Sequence, residues 1–456
     1  MASRREIFEG TELPPEVQRT SRDPETIRRN VTRVVVLAVA AFALVAIFSC
    51  RQLPRSEDVP LHAFPGPFKD APKVRLIVRQ KAQAVNLAVT GPFRLYDGSG
   101  AEIPITMKRL AAAPVTFRDR CLAVGSLPLR PNSEDLGRLR IVPEKSGTVE
   151  ISGQVFPGDV ELIGVRGTST LHVVVHMDIE EYLCGVLAGE VPVDRWNEEA
   201  LRAQAVASRT YALYYSLRNA SDPWDFGMTG REAQEYRPGV SRNAKINLAV
   251  NSTRGEVLTW NNMIFPAWFH SSCGGHTVDA TAVFTRRHID ALGGAECRWC
   301  RQQPDNKYAS WKRDINFTVI ADRLAKELSD DPEVGPTMRK ITKNKPLRSL
   351  EVAEKAPDGR ITKFLARGPG DPGSVEIRAN DVRLAIGPSE LPSTNCSMTP
   401  GSRYRFEGAG WGHGVGLCQF GAQGQAQDGR NYQEILATYF PSSRIVKMAY
   451  SLPERR

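Results

Sequence analysis

An uninterrupted apolar run, VVVLAVAAFALVAIF at residues 34–48, constrains this chain before any motif does. With Ser49 and Cys50 it reaches about 17 residues, near the lower limit for a bilayer-spanning helix and near a signal-peptide core. Arg28, Arg29 and Arg33 precede it, so the positive-inside rule holds residues 1–33 in the cytoplasm and exports the remainder of the chain. A buried core helix is the alternative, but nothing else in the first 60 residues would cover it. No Ala-x-Ala-like cleavage site follows, which favours an uncleaved anchor over residues 34–50. Ile47-Phe48-Ser49-Cys50 loosely matches a lipoprotein box in which Phe48 fits poorly, so a lipidated Cys50 is the second reading.

The exported part is large enough for two or three structural units, since 456 residues exceed one simple core. An apolar share of 41% excludes a mostly disordered chain, and 37 Gly with 31 Pro exclude collagen-like and low-complexity classes. The net charge of +9 suits an anionic polymer but selects none. Residues 51–73 are Pro-rich and polar, a linker. Residues 74–165 carry short β-type runs between turn signals (VRLIV, AVNLAV, FRLYDGSG, GRLRIV), an N-terminal β-rich domain. The clearest helix follows: Asn197 as N-cap, Glu198 and Glu199 in the first turn, and an Ala-rich stretch to about residue 218. On it Glu198, Arg202, Arg209 and Ser216 share one face, and Gln204, Ser208, Tyr211 and Tyr215 another. A second domain spans 166–448, with a less regular insertion at about 317–395. The fold class expected is α+β, mostly antiparallel β with a few packed helices, behind one N-terminal membrane helix.

Three segments hold residues unusual for packing alone. In the first, Glu190 sits between Gly189 and Val191-Pro192, just before the long helix. Pro192 pushes Val191 into extended geometry, which places Glu190 on a fixed turn among apolar neighbours. A carboxyl there gains a raised pKa, as a general acid needs, unless it is solvated or salt-bridged. In the second, Cys273-x₂-His276 is followed by Cys297-x₂-Cys300, a spacing that suits tetrahedral structural zinc. In an exported protein a Cys297–Cys300 or Cys273-linked disulfide competes, as does a catalytic His/Cys pair. His270 is a fifth ligand candidate or a cleft residue beside Glu190. In the third, residues 408–423 alternate glycine with Trp411 and His413. Trp411 would stack on a sugar ring and His413 donate to a hydroxyl, unless the segment is a tight turn with a buried histidine.

Together these segments resemble the family of stage II sporulation protein D and the amidase modifier (SpoIID/LytB). The resemblance rests on Tyr182-Leu-x-Gly-Val…Gly-Glu190-Val-Pro, the helix from Glu199 through Leu213, Ala249-Val…Thr253-Arg-Gly-Glu-Val-Leu, Phe269-His-Ser-Ser-Cys-Gly-Gly-His-Thr, and Trp411-Gly-His-Gly-Val-Gly-Leu-Cys-Gln-Phe-Gly-Ala. Their order and spacing match over about residues 74–448. Two positions depart: family members often have Ser-Glu-Met-Pro at 189–192, and a Cys where this chain has Ala233. The resemblance implies a lytic transglycosylase that cuts MurNAc–GlcNAc bonds of glycan strands stripped of stem peptides, leaving 1,6-anhydro ends. Glu190 would be the single catalytic acid and base. Gln204, Arg209, Tyr211, His270, Ser271, Trp411, His413 and Gln419 would bind substrate. Some members bind zinc and others do not. The partners implied are peptidoglycan glycan strands, a cell-wall amidase and a membrane reached through the N-terminal helix, with no nucleic acid. The compartment implied is the bacterial cell envelope, outside the cytoplasm. Two rival readings are a LytB-type enhancer of a cell-wall amidase, which need not cut anything, and a structural wall-tethering protein.

Overall fold

The computed structural model describes residues 59–125, 127, 137–144, 147–228, 232–240, 243–343, 346–369 and 372–450. The anchor expected at 34–50, with Cys50, lies outside the described residues. Among the described residues no helix is long and apolar enough to cross a membrane.

The β-type runs of the N-terminal half pair as their alternation requires. One sheet has seven strands in the order Phe226–Gly227, Lys73–Ala82, Leu171–Asp178, Asp159–Gly164, Arg138–Pro143, Phe93–Asp97 and Glu102–Ile103. A five-stranded sheet is built around Ala84–Val89 and Leu110–Arg118. Pairing is antiparallel throughout both, except where Phe226–Gly227 runs parallel to Lys73–Ala82. Val173, Val174 and Val175 are fully buried in succession, so strand Leu171–Asp178 is covered on both faces.

Eight α-helices are described: α1 Ile179–Glu190, α2 Glu198–Arg218, α3 Ala244–Ser252, α4 Phe317–Glu327, α5 Gly335–Ile341, α6 Ala379–Ile386, α7 Gln419–Gln427 and α8 Tyr432–Tyr439. The fold is α+β with mostly antiparallel sheets. α2 begins at the expected cap, where the Asn197 side chain accepts from Glu199 N–H at 2.9 Å. Its small residues bury it almost completely, with Ala200, Ala203, Ala205, Ala207 and Ala212 at most 1% exposed. It is the axis against which α1, α3, α7, α8 and strand Glu256–Trp260 pack.

Two hydrophobic clusters form. The first joins the N-terminal sheets to α1–α3, α7 and α8. The second runs from Trp311 to Phe406. The stretch expected to be less regular is ordered into α4, α5, α6 and a three-stranded sheet of Ser349–Lys355, Ile361–Arg367 and Ser374–Arg378. Its sheet is a sequential meander, so each strand finds its partner locally.

Candidate active site

Glu190 is the last residue of α1, not part of a separate turn before α2. Val191 leaves the helix in extended geometry (φ −135°, ψ 152°), as the following proline demands. Gly189 brings the segment 232–235 onto the helix end. A Cβ at position 189 would lie 2.2 Å from the Glu235 carbonyl oxygen. That approach lets Glu235 N–H donate to Glu190 Oε1 at 2.8 Å, while Gln419 Nε2 donates to Oε2 at 3.3 Å. Burial pushes the Glu190 pKa up to about 7, against the lowering effect of these two donors, and the Glu235 charge adds to the rise. A helix C-terminus also disfavours an anion. Near neutral pH this carboxyl holds or releases a proton with little bias.

The carboxyl belongs to a cleft of about 620 Å³. Tyr211, Tyr214 and Tyr215 of α2 line it, with strand Phe269–His270, Ser271, the turn carrying Trp411 and His413, and Gln419. Residues 378–384 of the second cluster complete it. Two further carboxylates of the lining are held by arginines: Glu232 by Arg218 at 3.0 Å and Asp381 by Arg378 at 2.9 Å. The Glu235 side chain is exposed.

The glycine-rich turn lies close against its neighbours. Gly414 has φ +86°, and a Cβ there would meet the Arg360 guanidinium carbon at 2.6 Å. Trp411 exchanges backbone hydrogen bonds with Ser272 (2.8 and 3.1 Å), and its half-buried ring leans on Tyr308 with centroids 4.3 Å apart. His413 donates from Nε2 to Phe269 O at 2.9 Å and accepts from Val415 N–H at Nδ1 at 3.1 Å. Both its nitrogens are therefore committed to backbone, and its expected contact with a sugar hydroxyl is replaced by a stapling role. His270 donates from Nδ1 to Val415 O at 3.1 Å, which leaves Nε2 a buried acceptor without a partner among the described residues. Burial, with the nearby Arg360 charge, pushes the His270 pKa down to about 3, and burial carries His413 well below the imidazole range. Both rings are neutral at physiological pH.

Of the residues expected to bind substrate, Tyr211, His270, Ser271, Trp411, His413 and Gln419 gather in this cleft with Glu190. Gln204 and Arg209 do not. Gln204 Nε2 donates to Ser208 Oγ inside the core. Arg209 is fully buried and paired with Glu180 of α1 at 2.7 Å. The two lie on different faces of α2 and both are buried in the core, which periodicity alone does not tell from a cleft. Among the cleft residues that escaped the sequence reading, Gln234 is buried, and neither atom of its amide has a partner among the described residues. A buried, unsatisfied amide in a cleft is suited to the paired donor and acceptor of another amide.

Four buried cysteines meet behind the turn: Cys273, Cys297, Cys300 and Cys418, with sulfurs all within 4.8 Å of one another. This corrects the ligand set expected from spacing, in which His276 was the fourth member. His276 is half-buried and its Nδ1 bonds Thr277 O at 2.6 Å. Cys418, 145 residues from Cys273 in sequence, supplies the fourth sulfur, brought there by the parallel pairing of Phe269–His270 with Leu417–Cys418.

Cys273 and Cys300 sulfurs lie 3.5 Å apart, too far for a disulfide and close to the roughly 3.8 Å between sulfurs on one tetrahedral zinc. All seven described cysteines are free thiols. Bonding to Cys273 pulls Cys297 and Cys300 below the ordinary thiol range, whereas burial pushes Cys273 and Cys418 above it. The four-sulfur set is one that could hold a metal ion.

An aromatic cleft around one carboxyl poised near neutrality, backed by a cluster of four thiols, defines the candidate site. Residues 167–260 match the family model described as stage II sporulation protein, and residues 300–416 match a domain of unknown function (DUF8618). An uncharacterized protein of Brachyspira hyodysenteriae is 31% identical over 322 residues, 70% of this chain and 80% of that protein. The stage II sporulation protein D of Bacillus subtilis is 28% identical over 287 residues, 59% of this chain and 75% of that one. The amidase enhancer of Bacillus subtilis is 26% identical over 342 residues, 67% of this chain but 46% of that protein. The chain belongs to the SpoIID/LytB family.

Proposed function

We propose that this chain is a lytic transglycosylase that cuts MurNAc–GlcNAc bonds of peptidoglycan glycan strands. The observation that carries the reading is the half-buried Glu190 carboxyl, set in the cleft with a pKa of about 7. Protonated Glu190 gives its proton to the glycosidic oxygen as the C1–O bond breaks. The C6 hydroxyl of the same muramic residue then closes on C1, and the Glu190 carboxylate takes the hydroxyl proton. The product carries a 1,6-anhydro end. Hydrolytic glycosidases use two flanking carboxylates, one to engage water or the sugar carbon. Here the substrate's own hydroxyl fills that role, so one carboxyl suffices.

The relative named amidase enhancer supports a second reading, a glycan-binding partner of a cell-wall amidase. Such a protein needs the aromatic cleft but not a titrating carboxyl. The thiol cluster is proposed as a structural zinc site held by Cys273, Cys297, Cys300 and Cys418, closed to substrate by its four protein ligands. The body is proposed to lie outside the cytoplasm at the bacterial cell envelope, tethered through residues 34–50.

The test is mass spectrometry of peptide-free glycan strands incubated with the protein. Anhydro-ended products support the enzyme. Intact strands that nonetheless bind the protein support the amidase partner.

A further inference from the structure

Residues 378–384 bring an arginine into the cleft that no acid neutralises among the described residues. Arg383 is 6% exposed and lines the cleft. Its Nε donates to Pro392 O at 2.9 Å and its Nη1 to Asn380 Oδ1 at 3.4 Å. No carboxylate pairs with it among the described residues. Burial, and after it the charge of a second buried guanidinium, Arg360, lowers the Arg383 pKa. Arg360 Nη2 donates to Cys273 O at 2.9 Å and His276 O at 3.3 Å, while its Nε and Nη1 have no hydrogen-bond partner among the described residues. Asp358, 3.7 Å from Arg360, is the carboxylate beside this pair of cations. Pro392 O also accepts from Gly412 N–H at 3.0 Å, which fixes Arg383 on the side of the cleft formed by the glycine-rich turn. A buried cation without a counter-ion is costly, and a planar guanidinium is shaped to receive a carboxylate.

We infer that Arg383 forms an anion subsite of the cleft and receives a carboxylate carried by the sugar strand. This rests on the glycan reading above. Two carboxylates are available on such a strand: the lactyl group of a peptide-free muramic residue, and the acids of a stem peptide. Arg383 is buried in the wall of the cleft, so the lactyl carboxylate, attached to the ring through one ether, is the group it meets. Joining a stem peptide turns that carboxylate into an amide and removes the pair.

The experiment measures calorimetric binding to the full chain carrying Glu190→Gln, which prevents turnover. Four ligands of matched length are compared: peptide-free strands, the same strands with carboxyls converted to methylamides, strands bearing stem peptides, and chitooligosaccharide. Peptide-free strands are expected to bind about tenfold or more tighter than the methylamides. Adding Arg383→Gln should erase that preference and leave chitooligosaccharide binding unchanged. Arg383→Lys, which keeps the charge, should retain part of it. Equal binding of peptide-free and methylamide strands by the parent overturns the subsite and leaves the glycan reading intact, and needs no variant to fold. Tightest binding of peptide-bearing strands assigns the subsite to peptide acids and overturns the lactyl assignment. Failure of all four ligands to bind overturns the glycan reading and the subsite together.

Discussion

A carboxyl that keeps its proton in the fold until pH is near 7 makes the protein less stable as pH rises. The unfolded chain releases the Glu190 proton near the ordinary glutamate value of 4.5, and the folded chain near 7. Between these values the folded state binds more protons, so stability falls as pH rises through the window and the cost is complete above it. Glu190→Gln removes the cost. We expect the variant to match the parent in stability below about pH 4 and to exceed it by on the order of 1–3 kcal/mol at pH 8, read from urea unfolding. The same variant should lose at least about 10²-fold in turnover while still binding glycan. Parent kcat/KM should fall as pH rises through about 7, because the first step needs the protonated acid. Unchanged turnover would remove Glu190 from the chemistry. The local setting of Glu190 was legible in a glycine and a proline beside it, but its two donors, Glu235 N–H and Gln419, come from segments distant in sequence. Arg209 and Gln204 were not legible, because a helical face read from sequence has no label for its packing partners.

At the scale of elements, α1 and α2 are joined by the Arg209–Glu180 pair, with Gly255 N–H at 3.1 Å and the Tyr450 hydroxyl also on Glu180. Burial alone would raise the Glu180 pKa, but the Arg209 charge and its hydrogen bonds hold it below the ordinary value. Removing one partner strands the other charge in the core. Arg209→Met should cost about 3–5 kcal/mol in urea unfolding, with glycan affinity of the folded protein preserved. A tenfold loss of affinity at unchanged stability would instead return Arg209 to the substrate. The cysteine cluster joins elements more distant in sequence: the loop after His270, the turn at 297–300 and the start of α7. Elemental analysis of protein purified without chelator should find about one zinc per chain, lost in Cys418→Ser and kept in His276→Ala. No zinc, with two thiols missing until reductant is added, would mean a disulfide there. Spacing identified three of these four cysteines, whereas Cys418 needed the parallel strand pairing to be seen.

Across the whole molecule, the glycine-rich turn is the seam between the two hydrophobic clusters. Gly410 N–H donates to Tyr308 O at 2.8 Å, Trp311 Nε1 to Gly410 O at 3.0 Å, and Gly412 N–H to Pro392 O at 3.0 Å. Arg360 and Asn395 reach across to the carbonyl of Cys273. The α+β class and the span of α2 were legible in the sequence, since a capped Ala-rich helix and alternating strands are local patterns. Within the stretch at about 317–395 the strand at Ser374–Arg378 was legible, but the other two of its sheet were not, because their charged sequences become regular only by pairing with each other. Gly414 offers the sharpest test of the seam. A side chain there meets two obstacles: a backbone at φ +86°, and a guanidinium that is 1% exposed and anchored on two carbonyls, so it has no open space to swing into. Gly414→Ala should therefore lower stability by at least about 2 kcal/mol and weaken glycan binding together, because Trp411 and Arg383 lie on the two sides of the seam. Calorimetric melting alongside glycan titration reads both. A variant that melts like the parent and binds like it would show that the two clusters do not depend on this contact to form the cleft.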